Sequence, residues 1–292
     1  MKEVEGKVAF VTGGSSGVGL GIVEAFADAG MNIAFGYRSS AHLDDAMKSL
    51  RRFGSRVHPV PLEVGDSASV EMAAAETVRR FGKVHVLVNN AGVCVVKPLQ
   101  ETTQDDWDWQ VRINLTGVFN GILAFLPLIR EHGEGGHIIA TSSVLGLAAA
   151  RNRTGYSATK FGVVGLMEAL GAELIDTEVG VSIYCPGNVW SQLEVRSSIS
   201  TDAPGTPVIT PREVLYMEPM EAGRLVLEGM RNNDLYILTH PEFGWMFKER
   251  NNAIEASHPH RLHAPPERSK RSTAAYHNPI YARDLSRRSA SK

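Results

Sequence analysis

The sequence predicts an α/β fold: a doubly wound parallel sheet with helices on both faces. Three observations predict it. Short apolar runs alternate with longer stretches of helical periodicity over most of the chain, which is how successive βαβ units read. The first apolar run leads through a glycine-rich turn into a helical stretch, the context in which such a turn cradles phosphate. The 292 residues are 43% hydrophobic and 21% charged, enough to build a sizeable core within one large α/β domain.

The first strand is Lys7–Val11, followed by the turn Thr12–Gly19 and a helix over Leu20–Ala29. Gly13 permits the tight turn, Gly17 removes a Cβ where a pyrophosphate approaches the backbone, and Gly19 lets the helix lie close to the sheet. Ser15, Ser16 and Val18 complete a loop whose helix N-terminus offers free N–H groups and partial positive charge to phosphates. The second strand, Asn32–Arg38, ends in Tyr37-Arg38, then Ser39 and Ser40, with no acid until Asp44. A carboxylate at this strand end binds a ribose 2′-hydroxyl, whereas an arginine pairs with a 2′-phosphate. NADP(H) is therefore favoured and NAD(H) possible. Ser16, just before Gly17, adds no basic side chain to that preference.

The alternation continues with a helix over Ala41–Phe53, a strand over Arg56–Leu62, a helix over Ser67–Phe81 and a strand over Val84–Val88, which runs into Asn89-Asn90-Ala91-Gly92. Asp105–Arg130 reads as a long apolar helix that Pro127 kinks or ends. More of its surface is apolar than one sheet face needs. His137–Thr141 is a further strand, with Ser143 at its end. Tyr156 and Lys160 lie four apart at the start of the next helical run, so phenol and ammonium share one face. A nearby cation favours the phenolate and gives a tyrosine that exchanges a proton near neutral pH. A helix over Pro219–Arg231, a last strand over Leu235–Leu238 and a helix over Glu242–Ala256 complete a single domain, residues 1–256.

These residues resemble the short-chain dehydrogenase/reductase family. The matching positions occur in order from about Val8 to about Leu238: the TGxxxGxG loop Thr12–Gly19, the NNAG run Asn89–Gly92, Asn114, Ser143, the YxxxK pair Tyr156 and Lys160, and Pro186-Gly187. The resemblance implies a Rossmann-type, seven-stranded sheet and an NAD(P)-dependent enzyme that interconverts a ketone or aldehyde and an alcohol. It implies Tyr156 as general acid/base, Lys160 as its electrostatic and ribose-binding partner, Ser143 as substrate donor, and Asn114 as the residue holding a water in a proton relay. On the cofactor it implies Glu63 and Val64 near the adenine, Asn90, Ala91 and Gly92 beside the adenosine, and Pro186, Gly187, Val189 and Ser191 near the nicotinamide. Glu63 departs from the family's usual aspartate and Ser191 from its usual threonine. Ser142 adjoins Ser143, and the spacing to Tyr156 selects Ser143.

Substrate selection falls to loops at the C-terminal strand ends: Val93–Val96, Leu145–Arg153, and Asn188 to about Met217, including Trp190 and Leu193. Their apolar character predicts a lipophilic or aromatic pocket. Arg153 and Arg151 precede Tyr156 by three and five residues; they are solvated loop arginines, or one meets an acidic substrate group at the pocket mouth. Thr201–Pro211, rich in Pro, Gly and Thr, reads as a lid. Asp106–Pro127 and Asn233–Pro241 are loosely similar to the aryl-alcohol Cα-dehydrogenases, whose members prefer NAD, a preference that Tyr37-Arg38 contradicts. An NAD-dependent aryl alcohol dehydrogenase and a non-catalytic nucleotide-binding regulator are therefore the competing readings. Reduction of acyl-carrier-bound ketones would need a basic docking patch that the acidic body does not offer.

The formal net charge is -2, which gives no reason to expect nucleic acid as a partner. Residues 257–292 hold eight Lys/Arg against two Asp/Glu, a basic and flexible or loosely docked tail on an acidic body. Two cysteines, Cys94 and Cys185, without CxxC spacing, and histidines without a ligand pattern point to no metal and no disulfide framework. No signal-peptide layout and no bilayer-length apolar run are read, so a cytoplasmic protein is expected. Family resemblance over the long middle helix implies a homodimer or homotetramer.

Overall fold

A computed structural model describes residues 1–191, 193–197, 216–259 and 263–290. Its strands are β1 (Val8–Val11), β2 (Asn32–Tyr37), β3 (Val57–Pro61), β4 (Val86–Asn89), β5 (Val93–Val96), β6 (Gly136–Thr141), β7 (Val179–Cys185), β8 (Glu194–Ser197) and β9 (Tyr236–Leu238). Seven of them form one parallel sheet in the order β3-β2-β1-β4-β6-β7-β9, and β5 pairs with β8 in a separate parallel ribbon. The chain moves outward from β1 to β3, then returns to the other side of β1 to continue with β4. That reversal opens a crevice at the C-terminal ends of β1 and β4.

The helices are α1 (Gly17–Asp28), α2 (Ser40–Leu50), α3 (Ser67–Phe81), α4 (Gln104–Gln110), α5 (Gly117–Glu131), α6 (Thr154–Glu173), α7 (Pro219–Asn232), α8 (Gly244–Ala256), α9 (Pro266–Tyr276) and α10 (Ile280–Ala290). Successive strand residues divide between two cores, one on each sheet face. Phe10, Leu87 and Ile138 pack with Phe125 of α5 and Met167 of α6. Ala9, Val11, Val86 and Ile139 pack with Phe26 of α1 and Val226 of α7. Because both faces are covered, β1 and β6 are buried throughout and their sequences run apolar without alternation. The ring of Phe10 stacks on Phe125 with centroids 4.7 Å apart.

The long middle helix departs from the sequence reading. It is α4, a π-helical turn over Val111–Thr116, and α5. Thr103 and Asp106 close a reciprocal capping box at its start, which fixes the entry one residue ahead of the expected Asp105. Pro127 lies inside α5 without ending it; the carbonyl it deprives belongs to Leu123, which is on the exposed face where water can replace the lost donor. The continuous run Gln104–Glu131 is long and apolar enough to cross a bilayer, contrary to the expectation that no such stretch exists. Half of its apolar window is buried, and Phe125 and Ile129 are wholly inside, as in a core helix.

The C-terminal segment also differs from a loose tail. No residue of α9 is buried, yet α10 docks: Ile280 is wholly buried, and Asp284 is nearly so. Asp284 accepts from the amide of Leu235 at 2.8 Å, at the entry to β9. Arg287 and Arg288 pair with Asp284, and Arg288 approaches Asp234 at 3.6 Å. Both arginines thus meet carboxylates of their own chain. One isoleucine and a polar network do the docking, a combination with no hydrophobic periodicity for sequence reasoning to detect. The expected lid, Thr201–Pro211, lies outside the described residues.

Candidate active site

A cavity of about 940 Å³ opens at the C-terminal strand ends. The β1–α1 turn forms one wall. Gly13 has φ +62, which the turn requires and side chains disfavour. Gly19 proves tight for a different reason from the one expected. A Cβ there would lie 2.1 Å from the carbonyl oxygen of Gly13 and 2.5 Å from Nδ2 of Asn90, so the close approach is to the loop itself and not to the sheet. Ser16 precedes α1 without a side-chain cap, and the first turn carries no acid. The N–H groups at this helix end thus remain available to an anion.

The run after β4 fastens that turn. The hydroxyl of Thr12 accepts from the amides of Asn90 and Ala91 at 2.8 and 2.9 Å. Asn90 Nδ2 donates to the carbonyl of Thr12 at 3.2 Å. Beyond β2, Tyr37, Arg38, Ser39 and His42 line the cavity, and beyond β3, Leu62, Glu63 and Val64. Glu63 accepts from the amide of Gly65 at 3.3 Å. The sequence-predicted cofactor positions all face this one space: Gly13, Ser15, Ser16, Gly17, Val18, Gly19, Tyr37, Arg38, Glu63, Val64, Asn90, Ala91, Gly92, Tyr156, Lys160, Pro186, Gly187, Val189 and Ser191.

At the other end stand Ser143, Tyr156 and Lys160. Ser143 follows β6 in extended backbone and its hydroxyl is hydrogen-bonded to Tyr156. Ser142 points away and donates to the carbonyl of Lys160 at 2.9 Å, so the two adjacent serines divide, one toward the cavity and one holding α6. Lys160 is buried, and its Nζ donates to the carbonyl of Thr141 at 2.8 Å. Burial holds its pKa down, to about 8. The phenol of Tyr156 behaves otherwise than the sequence suggests. Burial pushes it above the ordinary tyrosine range, and the hydrogen bond from Ser143 and the charge of Arg153 offset only part of that. Lys160 Nζ stands 5.6 Å from the ring centre, and burial is the larger influence on the phenol.

Asn114 does not line the cavity. It sits in the π-helical turn, fully buried, with Oδ1 accepting from the amide of Val93 at 2.8 Å. Its Nδ2 donates to the carbonyl of Val93 at 2.9 Å and to the hydroxyl of Thr159 at 3.1 Å. The side-chain amide thus joins β5 to α6.

Sequence reasoning missed part of the substrate end. Val93, Cys94, Val96, Leu145, Leu193 and Tyr216 line it within the expected segments, but so do Phe243, Trp245 and Met246. The aromatic cluster Phe243-Gly-Trp-Met was the available signal, hidden because the stretch reads equally as an ordinary helix. Trp190 instead packs edge-on against Tyr216, centroids 5.6 Å apart. His240 was also missed. Its Nδ1 accepts from the amide of Gly187 at 3.0 Å, which leaves Nε2 to donate to the carbonyl of Asn188 at 3.1 Å. It props the Pro186-Gly187 turn from behind. Elsewhere, His85, His132 and Glu134 come together, but the imidazoles are engaged with Val8, Val84 and Glu134, and Lys7 and Lys83 occupy the carboxylate. This is an ion-pair cluster.

The uncapped helix end, the glycine cradle and the long cavity fit a dinucleotide with its pyrophosphate at α1. Comparison with known proteins agrees. Residues 7–201 match the family model described as short chain dehydrogenase. A C alpha-dehydrogenase of Sphingobium sp. (strain NBRC 103272 / SYK-6) is 32% identical over 253 residues, 83% of each chain. A solved chain from Novosphingobium aromaticivorans superposes with TM-score 0.82 at 33% identity, covering 99% of this chain and 100% of that one. A short chain dehydrogenase/reductase from Burkholderia phymatum, solved in complex with NAD, gives TM-score 0.78 at 30% identity, covering 91% and 100%.

Proposed function

The chain belongs to the short-chain dehydrogenase family, an oxidoreductase acting on CH–OH and carbonyl groups, and from that premise we propose that it prefers NADP(H) and acts on lipophilic, in particular aryl, ketones and alcohols. One observation carries this reading: a single cavity has Tyr37-Arg38 at one end and Ser143, Tyr156, Lys160 and an aromatic wall at the other. Arg38 suits a 2′-phosphate, with which a guanidinium makes paired charge-assisted bonds. Bound at Gly13–Gly19, Lys160 and Pro186–Ser191, the nicotinamide cofactor would supply or accept the hydride.

The protein's own part is orientation and the proton. Ser143 and Tyr156 donate hydrogen bonds to the carbonyl oxygen as negative charge develops there. Tyr156 then gives its proton to that oxygen, and in the oxidative direction takes it back. Lys160 supplies a fixed positive charge at the cofactor end, and Asn114 positions β5 and α6. The outer face of α4 and α5 exposes Trp107, Phe119 and Leu123 at 40, 48 and 59%; a homo-oligomer that covers it, in the cytoplasm, belongs to the same reading.

The similarity to a C alpha-dehydrogenase and to an NAD-bound relative favours a second reading, an NAD-dependent aryl alcohol dehydrogenase. Both are tested by following reduced-cofactor consumption on aryl and aliphatic ketones with NADPH and NADH in parallel. Faster turnover of aryl ketones with NADPH supports the first. Faster turnover with NADH overturns the cofactor assignment in favour of the second, and a preference for short aliphatic ketones overturns the substrate class.

A further inference from the structure

Arg153 is held at the substrate end of the cavity by the fold around it. Asn152, just before it, has φ +61, and its carbonyl accepts from the amide of Lys97 at 2.9 Å. This ties the loop to the end of β5. Arg153 itself caps α6, its carbonyl accepting from the amide of Ser157 at 2.8 Å. Its side chain lines the cavity with Tyr156 and Cys94, and its charge acts on both the phenol and the thiol. Arg151, two residues earlier, is exposed and outside the cavity.

The guanidinium of Arg153 is half-buried and makes no hydrogen bond or ion pair among the described residues. The substrate end of the cavity that it lines also has the apolar Val96, Leu145 and Ala150. Cys94 is no counter-ion, because burial raises its thiol to about 11. Among the described lining residues the carboxylate is Glu63, which follows β3 at the far edge of the sheet. A half-buried cation on an apolar wall is incompletely solvated. A carboxylate meets it with two parallel charge-assisted bonds.

We infer that Arg153 is a specificity-determining residue, selecting substrates whose apolar body carries a carboxylate. The inference rests on the reading of this cavity as a carbonyl site and narrows it to aryl keto acids and the corresponding hydroxy acids. Arg153 caps the helix that carries Tyr156, and both side chains line the one cavity. Tyr156 meets the carbonyl oxygen while Arg153 holds the acid.

The test uses 4-acetylbenzoate and its neutral counterpart 4-acetylbenzamide with the reduced cofactor. Wild type should favour the acid in kcat/KM by roughly tenfold or more, the factor that about 1.4 kcal/mol supplies. Arg153→Ala should bring that ratio to about one, chiefly through KM, and Arg153→Lys should retain part of it, as a point charge without the fork. Arg151→Ala should keep the wild-type ratio. An equal ratio in wild type and Arg153→Ala overturns the inference. Binding of 4-acetylbenzoate to the NADP⁺-loaded protein, read by tryptophan fluorescence, separates this from the proposed activity. Binding lost in Arg153→Ala, with neither ketone reduced, sinks the carbonyl-reductase reading and keeps the anion site. Binding that is equal in the two proteins, or absent from wild type, overturns the anion site.

Discussion

Lys160 Nζ donates a 2.8 Å hydrogen bond to the carbonyl oxygen of Thr141, so the ammonium of α6 is anchored to the end of β6, two residues before Ser143. The bond fixes where the positive charge stands relative to the cavity and the ring of Tyr156, 5.6 Å away, and burial is what raises the phenol. The ammonium is held by the sheet and faces the cofactor side, while the phenol keeps its proton. A protonated phenol is the form that carbonyl reduction requires.

Tyr156→Phe keeps the ring and removes the proton donor. Turnover should fall about 10²- to 10⁴-fold, the usual contribution of a positioned acid/base. Nucleotide affinity, read by fluorescence titration, should change little. A variant that keeps a tenth of wild-type turnover would place the proton elsewhere.

The raised phenol sets the direction of the pH dependence. Reduction uses the protonated form, so its rate should be flat at neutral pH and fall as pH rises into the alkaline range. Oxidation uses the phenolate, so its rate should climb over the same range. Profiles that bend in the same sense in both directions would mean that Tyr156 is not the titrating group.

Lys160 gives a stability prediction with the opposite sign to a surface lysine. Its folded pKa, about 8, lies below the unfolded value of about 10.4. Below pH 8 it is charged in both states and burial costs stability. Between those values the unfolded chain binds more protons, so stability rises with pH. Relative to Lys160→Met, wild type should gain about 1–2 kcal/mol in urea denaturation from pH 7 to pH 9.5. A difference that stays constant or moves the other way would show the ammonium to be well solvated.

How much of this was legible in the sequence depended on whether local pattern or distant contact decided each feature. Strands β1 and β4 and the loop at Gly13–Gly19 were legible because two-sided burial and phosphate geometry constrain residue type locally. Ser143 was separable from Ser142 by spacing alone. Asn114 was located, but its side-chain partners were not legible. Its partners, Val93 and Thr159, come from two other elements, and nothing local announces them. The depressed ammonium and raised phenol were not legible either, because burial is a property of the assembled site. Trp245 and His240 reach the site only through the docking of the segment after β9.

Arg38 should govern the choice of cofactor. Arg38→Ala should weaken NADPH by about 10- to 100-fold, the worth of one or two charge-assisted bonds, while NADH changes little. Arg38→Asp should invert the preference. Parallel KM values for the two cofactors give the answer, and equal losses for both would assign Arg38 a structural part only.

Gly19→Ala should disrupt the phosphate turn. The added methyl would meet the Gly13 carbonyl and the Asn90 amide, both within 2.5 Å. The first of these is backbone and can yield only by moving the turn. Overpacking of this kind costs about 1–3 kcal/mol, and nucleotide affinity should fall with it. An unchanged melting temperature together with unchanged nucleotide binding would show that the turn has slack.

Asp284 should hold the C-terminal helix in place. Burial pushes its carboxyl up, but the Leu235 amide and Arg288 more than offset this and hold it below the usual range. Its folded pKa therefore lies below its unfolded one, so its contribution is present above about pH 4 and is lost as pH falls through the folded value. Asp284→Ala leaves the Leu235 amide without its acceptor, at a cost of about 1–3 kcal/mol, and removes one carboxylate partner from Arg287 and Arg288. The burial of Ile280, worth about 1.5–3 kcal/mol, and the bond from the Tyr281 hydroxyl to Glu168 are then left to hold α10 against α6. Denaturation of the variant at pH 7 should begin at lower urea, and limited proteolysis should cut within residues 280–290 several-fold faster than in wild type. The gap in stability between the two proteins should close on acidification. An unchanged cleavage rate at pH 7 would mean that Ile280 and Tyr281 hold α10 without the carboxylate.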